Sequence, residues 1–150
     1  MRALPFLLIA AFLAAHPAHA TVLGDPKAIA RVLTEMGMPA TQGKDIEGQP
    51  MLESRVDDTL FNVYFYDCTP LCRRMQLVTG FNLNAPMSAE DANAWNRDNP
   101  FGKLVLNDAG DPYLEMDIGV ADDGLGRKNL EDTLNTWRAV LGDFRASITE

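Results

Sequence analysis

Both cysteines of this 150-residue chain fall within the nine residues YDCTPLCRR, Tyr66 to Arg74, separated by Thr69-Pro70-Leu71. If Cys68 and Cys72 face one another across that loop, residue numbers paired across the flanking segments sum to 140. The register then places Phe65 against Met75, Val63 against Leu77 and Phe61 against Thr79 on one face. On the other face Tyr66 meets Arg74, Tyr64 meets Gln76 and Asn62 meets Val78. One face is nearly all apolar and the other mostly polar, as a half-buried antiparallel pair requires. Slipping one strand by a residue would set Phe65 against Arg74 and destroy the sorting, so the alternation predicts the hairpin and its register together.

Directly opposed residues of such a pair have Cα atoms about 4.5 to 5.5 Å apart, within the reach of a disulfide. Cys68 and Cys72 therefore read as a hairpin staple, contributing about 2 kcal/mol on the chain-entropy model because the closed loop is short. The alternative is a thiol-disulfide redox centre, which needs a thiolate of lowered pKa, commonly at a helix N-terminus in a C-x-x-C setting. Here the spacing is C-x-x-x-C, the setting is strand to strand, and Asp67 adjoins the first sulfur, whereas Arg73 and Arg74 would favour a thiolate. An even cysteine count in an exported chain favours the staple.

Export is expected from the first twenty residues, MRALPFLLIAAFLAAHPAHA. A basic start at Arg2, an apolar run from Ala3 to Ala15 and the close Ala18-His19-Ala20 have the form of a secretory signal peptide cleaved after Ala20. The run is too short for the roughly twenty residues that span a bilayer, so no stable membrane insertion is expected after cleavage. The expected division is a signal peptide over 1–20 and one domain over 21–150, periplasmic or secreted. Cleavage discards both histidines, His16 and His19. A Ser-His-Asp or Cys-His centre is then excluded, and zinc would have to rely on two thiolates and carboxylates. Removing Arg2 from the 13 Lys and Arg leaves 12 against 21 Asp and Glu, a net charge of −9. Such a surface repels nucleic acid and anionic lipid. No acidic doublet fits a calcium loop, so no metal and no cofactor are expected.

Elsewhere the pattern alternates between helix and strand. Asp25-Pro26 caps a helix carrying Ile29, Val32, Leu33 and Met36, which Gly37 and Pro39 end. Strand-like segments follow from Ala40, broken at Glu47-Gly48 and at Asp57-Asp58-Thr59 before LFNVYFY. Ser88-Ala-Glu-Asp91 starts a short helix with Ala92 and Trp95. FGKLVL and PYLEMDI flank Asn107-Asp-Ala-Gly-Asp111 as a second hairpin. From about Gly126, Leu130, Leu134, Trp137, Leu141, Phe144 and Ile148 mark a long closing helix with one apolar stripe. The fold class is α+β, an antiparallel sheet with helices packed on it.

With its opening helix, cysteine hairpin, AWNRDNPFGKLVLNDAGDPYLEMD and tryptophan-bearing closing helix, the mature chain resembles the YbjN family. The most specific residues are Trp95-Asn96, Phe101-Gly102 and the hairpin through Asp111, Leu114 and Asp117. Pro100 stands where the motif is basic, and Asp123-Gly124 replaces its glycine pair. The resemblance implies helices on one face of an antiparallel sheet, similar to type III secretion chaperones, and a regulatory role in sensory transduction without an established enzymatic activity.

The candidate contact residues lie on the polar face of the cysteine hairpin: Tyr64, Tyr66, Arg74, Gln76 and Val78. Tyrosine and arginine are common at interfaces, and a stapled hairpin presents them already ordered. An ordinary solvated sheet face would look the same. Trp95 and Trp137 read as core, Asn96 as a bracket for backbone groups, and Glu115 with Asp117 as a wet strand face. The expected function is non-catalytic binding of a protein partner, or of a second copy, through the sheet. The alternatives are a small thiol-disulfide enzyme using Cys68 and Cys72, or a small-ligand sensor.

Overall fold

Residues 20–149 are described by a computed structural model, so the expected signal peptide lies outside the described residues apart from Ala20. A short strand β1, Thr21–Val22, leads into helix α1, Pro26–Glu35. Asp25 caps that helix: its carboxylate accepts from Lys27 N–H at 3.1 Å, and proline takes the first helical position, where no N–H is needed. Gly37, at φ 79°, then lets the chain reverse where a side chain would be strained.

Strands β2, Ala40–Lys44, β3, Pro50–Val56, and β4, Thr59–Tyr66, follow as an antiparallel meander. Asp57 and Asp58 both have positive φ, 45° and 63°, as a two-residue hairpin turn matching the strand twist demands. Asp45 holds the preceding turn by accepting from Glu47 N–H and Gln49 N–H. Strand β5, Arg74–Gly80, pairs with β4 as Tyr66↔Arg74, Tyr64↔Gln76 and Asn62↔Val78, with Phe65↔Met75 and Val63↔Leu77 on the other face. This is the register expected from the alternation.

The cysteines depart from that expectation. The ladder stops at Tyr66↔Arg74, and Asp67 turns out of it at φ 55°. Cys68 and Cys72 are bonded to each other within the loop, their Cα atoms 3.8 Å apart, closer than a ladder pair. Asp67 on one side and Arg73 on the other therefore separate the last ladder pair from the two cysteines, and the disulfide closes the loop rather than adding a rung.

Helix α2, Ala89–Asp98, starts at Ser88, whose hydroxyl accepts from Asp91 N–H at 3.1 Å. Strands β6, Lys103–Leu106, and β7, Pro112–Gly119, form the second hairpin around Asn107, whose side-chain oxygen accepts from Ala109 N–H and Asp111 N–H. A two-residue strand β8, Leu125–Gly126, pairs with β1 and takes the position where the closing helix was expected to begin. That helix, α3, runs Arg127–Thr149.

The main sheet has the order β2-β3-β4-β5-β7-β6, antiparallel throughout. Its inner face supplies Leu52, Phe61, Val63, Phe65, Met75, Leu77 and Leu114 to one core with Ile29 and Leu33 of α1 and Leu130, Leu134, Trp137, Leu141 and Phe144 of α3. Phe61 meets Trp137 edge to face at 5.6 Å, and Phe144 meets Phe81 at 5.0 Å and Trp95 at 5.4 Å. Trp137 is fully buried, whereas Trp95, also expected in the core, is only half-buried at its margin. Asn96 is a bracket: it donates to Leu104 C=O at 3.1 Å and accepts from Leu104 N–H at 2.6 Å, standing in for a missing neighbour of the edge strand β6. The opposite face of the sheet carries Glu53, Arg55, Leu60, Tyr66 and Arg74, all exposed.

Candidate functional site

The strand period that buries Phe61, Val63 and Phe65 directs Asn62, Tyr64 and Tyr66 to the outer face, and the pairing carries the rule onto Arg74, Gln76 and Val78. The structure thus brings all five candidate contact residues onto one surface. Tyr66 is 46% exposed and Arg74 is exposed, while Tyr64, Gln76 and Val78 are half-buried by their neighbours.

Strand order adds a third layer that alternation alone did not provide. Because β7 lies beside β5, Gln76 stands opposite Asp117 and Val78 opposite Glu115. Gln76 donates to Asp117 Oδ1 at 2.8 Å and to Glu115 Oε2 at 3.2 Å, and accepts from the Tyr66 hydroxyl at 3.3 Å. Lys103, from β6, reaches Glu115 at 3.3 Å and Asp117 at 3.2 Å. Glu115 and Asp117, read from the sequence as a wet strand face without companions, are thus held by an amide and an ammonium. The signal was present in Lys103, which shares their face once β6 and β7 pair, but its use required the strand order.

This network spans four strands and fixes side-chain positions more than it stabilises the fold, because exposed ion pairs contribute little in water. The Asp117 carboxylate, bonded to Lys103, is the first cause of the raised ammonium pKa. Partial burial, followed by the charges of Glu115 and its neighbours, raises the phenol pKa of Tyr66. Both shifts move the titration of these two groups further from neutral pH. Leu60, Val105 and Tyr113 form an exposed apolar margin on the same face, with Tyr113 packed over Gly80, where a Cβ would come within 2.8 Å of its ring.

The disulfide loop sits at the other end of this face. Cys72 N–H donates to Gly24 C=O at 2.9 Å, Arg73 pairs with Asp122 at 3.0 Å, and Arg74 pairs with Asp67 at 3.4 Å. The two arginines that would favour a thiolate are thus turned to carboxylates, and Cys72 is only 1% exposed. Reduction is expected to leave the domain folded at 25 °C while lowering its thermal midpoint by about 8 °C, since a short loop contributes about 2 kcal/mol. Thermal melts with and without reductant measure this. Among the described residues no group of three or more His, Cys, Asp or Glu is placed to hold a metal ion, and no helix is long and apolar enough to cross a membrane.

The residues that carry this arrangement are covered by one family model. It is described as a putative bacterial sensory transduction regulator, YbjN, and matches residues 25–150. The chain belongs to the YbjN family. No curated protein matches it, and no solved structure does. In this YbjN domain, two of the residues that carried the resemblance have structural duties, Asn96 in bracketing the edge strand and Gly102 in letting the chain pack against Val140 and Leu114. The departure at Pro100 precedes Phe101, which is 74% exposed and has a left-handed backbone at φ 77°.

Proposed function

We propose that this YbjN domain is an exported, non-catalytic regulatory protein that binds a protein partner, or a second copy of itself, through the outer face of its sheet, in the manner of a chaperone-like binding domain. The observation that carries the reading is the open face itself: Tyr66 is held by a hydrogen bond yet exposed, Tyr64 is bonded and half-buried next to it, and an apolar margin lies beside them. A surface ordered before binding loses less conformational freedom on association, and tyrosine supplies contact area with few rotatable bonds. With Cys72 buried, Cys68 half-buried and Arg73 and Arg74 turned to carboxylates, the surroundings support a structural bridge rather than a thiol enzyme, which needs an accessible, activated sulfur.

The test is the double variant Tyr64→Ser, Tyr66→Ser. Both side chains lie outside the core, so the thermal midpoint should stay within a few degrees of the parent, corresponding to about 1 kcal/mol or less. Partners that the mature protein captures from a periplasmic extract should be lost at the same time. A stable double variant that retains every one of them would move the contact surface off this face.

A further inference from the structure

We infer that the C-terminal half of β7 is a strand-addition site, built to take an extended basic segment of another protein. The two strands of the second hairpin are unequal. β7 runs for eight residues, whereas β6 runs for four and pairs only from Lys103↔Glu115 to Leu106↔Pro112. From Met116 to Gly119, β7 therefore has β5 on one side and no strand among the described residues on the other.

The direction of the unpaired groups follows from four bonds. Phe81 N–H donates to Pro112 C=O at 3.0 Å and Val120 N–H to Arg73 C=O at 2.9 Å, so even-numbered positions of this strand face β5. The Asn96 bracket on Leu104 independently assigns the odd-numbered positions of β7 to the β6 side, because the Leu104 groups point outward. Asp117 and Gly119 consequently aim their N–H and C=O groups into the space that β6 would occupy if it were longer. None of these four groups has a hydrogen-bond partner among the described residues, and both residues are exposed.

What stops β6 short is the turn at Phe101-Gly102. Phe101 takes a backbone conformation that non-glycine residues seldom adopt, and Gly102 packs so closely that a Cβ would lie 2.6 Å from Val140. The chain bends away before it can cover Asp117, and it leaves the Phe101 ring 74% exposed beside the gap. A left-handed, exposed phenylalanine is costly to fold stability, which suits a contact residue better than a packing one.

Side chains of an added strand would alternate between two depressions that meet at Asp117. One, on the outer face, includes Tyr66 and Asp117; the other, toward α3, includes Phe101, Met116 and Asp132. Asp132 forms no ion pair among the described residues, and the chain carries a net charge of −8. At the depression toward α3 the Asp132 carboxylate and the Phe101 ring at the rim complement lysine or arginine, whereas at the outer one Asp117 is already held by Lys103 and Gln76 and Arg74 stands beside it. A second copy of this acidic chain would bring like charges together.

This site does not depend on the outer-face reading, and the experiment separates them. The probe is a seven-residue peptide alternating lysine and valine, compared with a glutamate-valine counterpart and with a lysine-valine peptide N-methylated at alternate residues. The lysine peptide should slow amide exchange at Asp117 and Gly119 by about tenfold or more, and the N-methylated form should not. Gly119→Pro removes a donor that the ladder does not use, so it should weaken the peptide by about tenfold without lowering the thermal midpoint. Asp132→Asn, on an exposed helix surface, should weaken binding and flatten its salt dependence, while Tyr64→Ser should leave it unchanged. Protection at the β2 edge instead, equal binding of the glutamate peptide, or concentration-dependent protection of Asp117 and Gly119 without any peptide would overturn the inference.

Discussion

Replacing Phe65 with serine is expected to unfold the domain. Phe65 is 2% exposed, stands opposite Met75 and forms part of the core against which α1 and α3 pack. Losing the ring costs about 3 to 5 kcal/mol, and a serine hydroxyl left without a partner adds about 1 to 3 kcal/mol. That sum is comparable to the about 5 to 15 kcal/mol by which an ordinary domain is stable. Circular dichroism of the purified variant should show lost cooperativity at 25 °C. A cooperative melt close to the parent's would mean that the inner face of β4 is not the core. Tyr64, its neighbour in sequence, points the other way, so the pair Phe65→Ser and Tyr64→Ser reads the two faces of one strand separately.

Gly24→Ala is the next largest effect expected, and nothing in the sequence marked that glycine. A Cβ there would lie 1.8 Å from the carbonyl oxygen of Cys72, a backbone atom that no rotamer change can move aside. The same residue accepts the Cys72 N–H bond, so relief of the clash requires the segment from Val22 to Asp25 to leave the disulfide loop. Overpacking of this kind costs about 3 kcal/mol, corresponding to a fall of about 12 °C in thermal midpoint for a chain of this size. An unshifted midpoint would show that the N-terminal segment does not hold the loop.

The parts of the fold that were legible in the sequence are those set by short-range rules. Asp25-Pro26 and Ser88 announced two helix starts because capping chemistry is local. The β4–β5 register was legible because alternation on two strands joined by a short loop leaves a single pairing that sorts both faces. Alternation reports which face is buried, however, and not which strand lies beside it. The placement of β7 between β5 and β6 was therefore hidden, and with it the contacts of Gln76 and Lys103 with Glu115 and Asp117. The two-residue strands β1 and β8 are too short to show any period. Phe101 was hidden for a different reason: left-handed backbone is signalled by glycine or asparagine, and phenylalanine signals the reverse.

The single amide of Asn96 has a consequence that reaches beyond one molecule. A sheet with two bare edges joins to its neighbours edge to edge, and since β2 and β6 are unlike, such a joint would not close on itself but would repeat into a filament. By occupying both outward backbone groups of Leu104, Asn96 blunts that joint, leaving only Leu106 of β6 to meet the exposed β2 of another molecule. The gap left at Asp117 and Gly119 is only two residues' worth of hydrogen bonds, too short to template a growing fibre. One side chain on a neighbouring helix thus weakens the edge at which such a filament would grow.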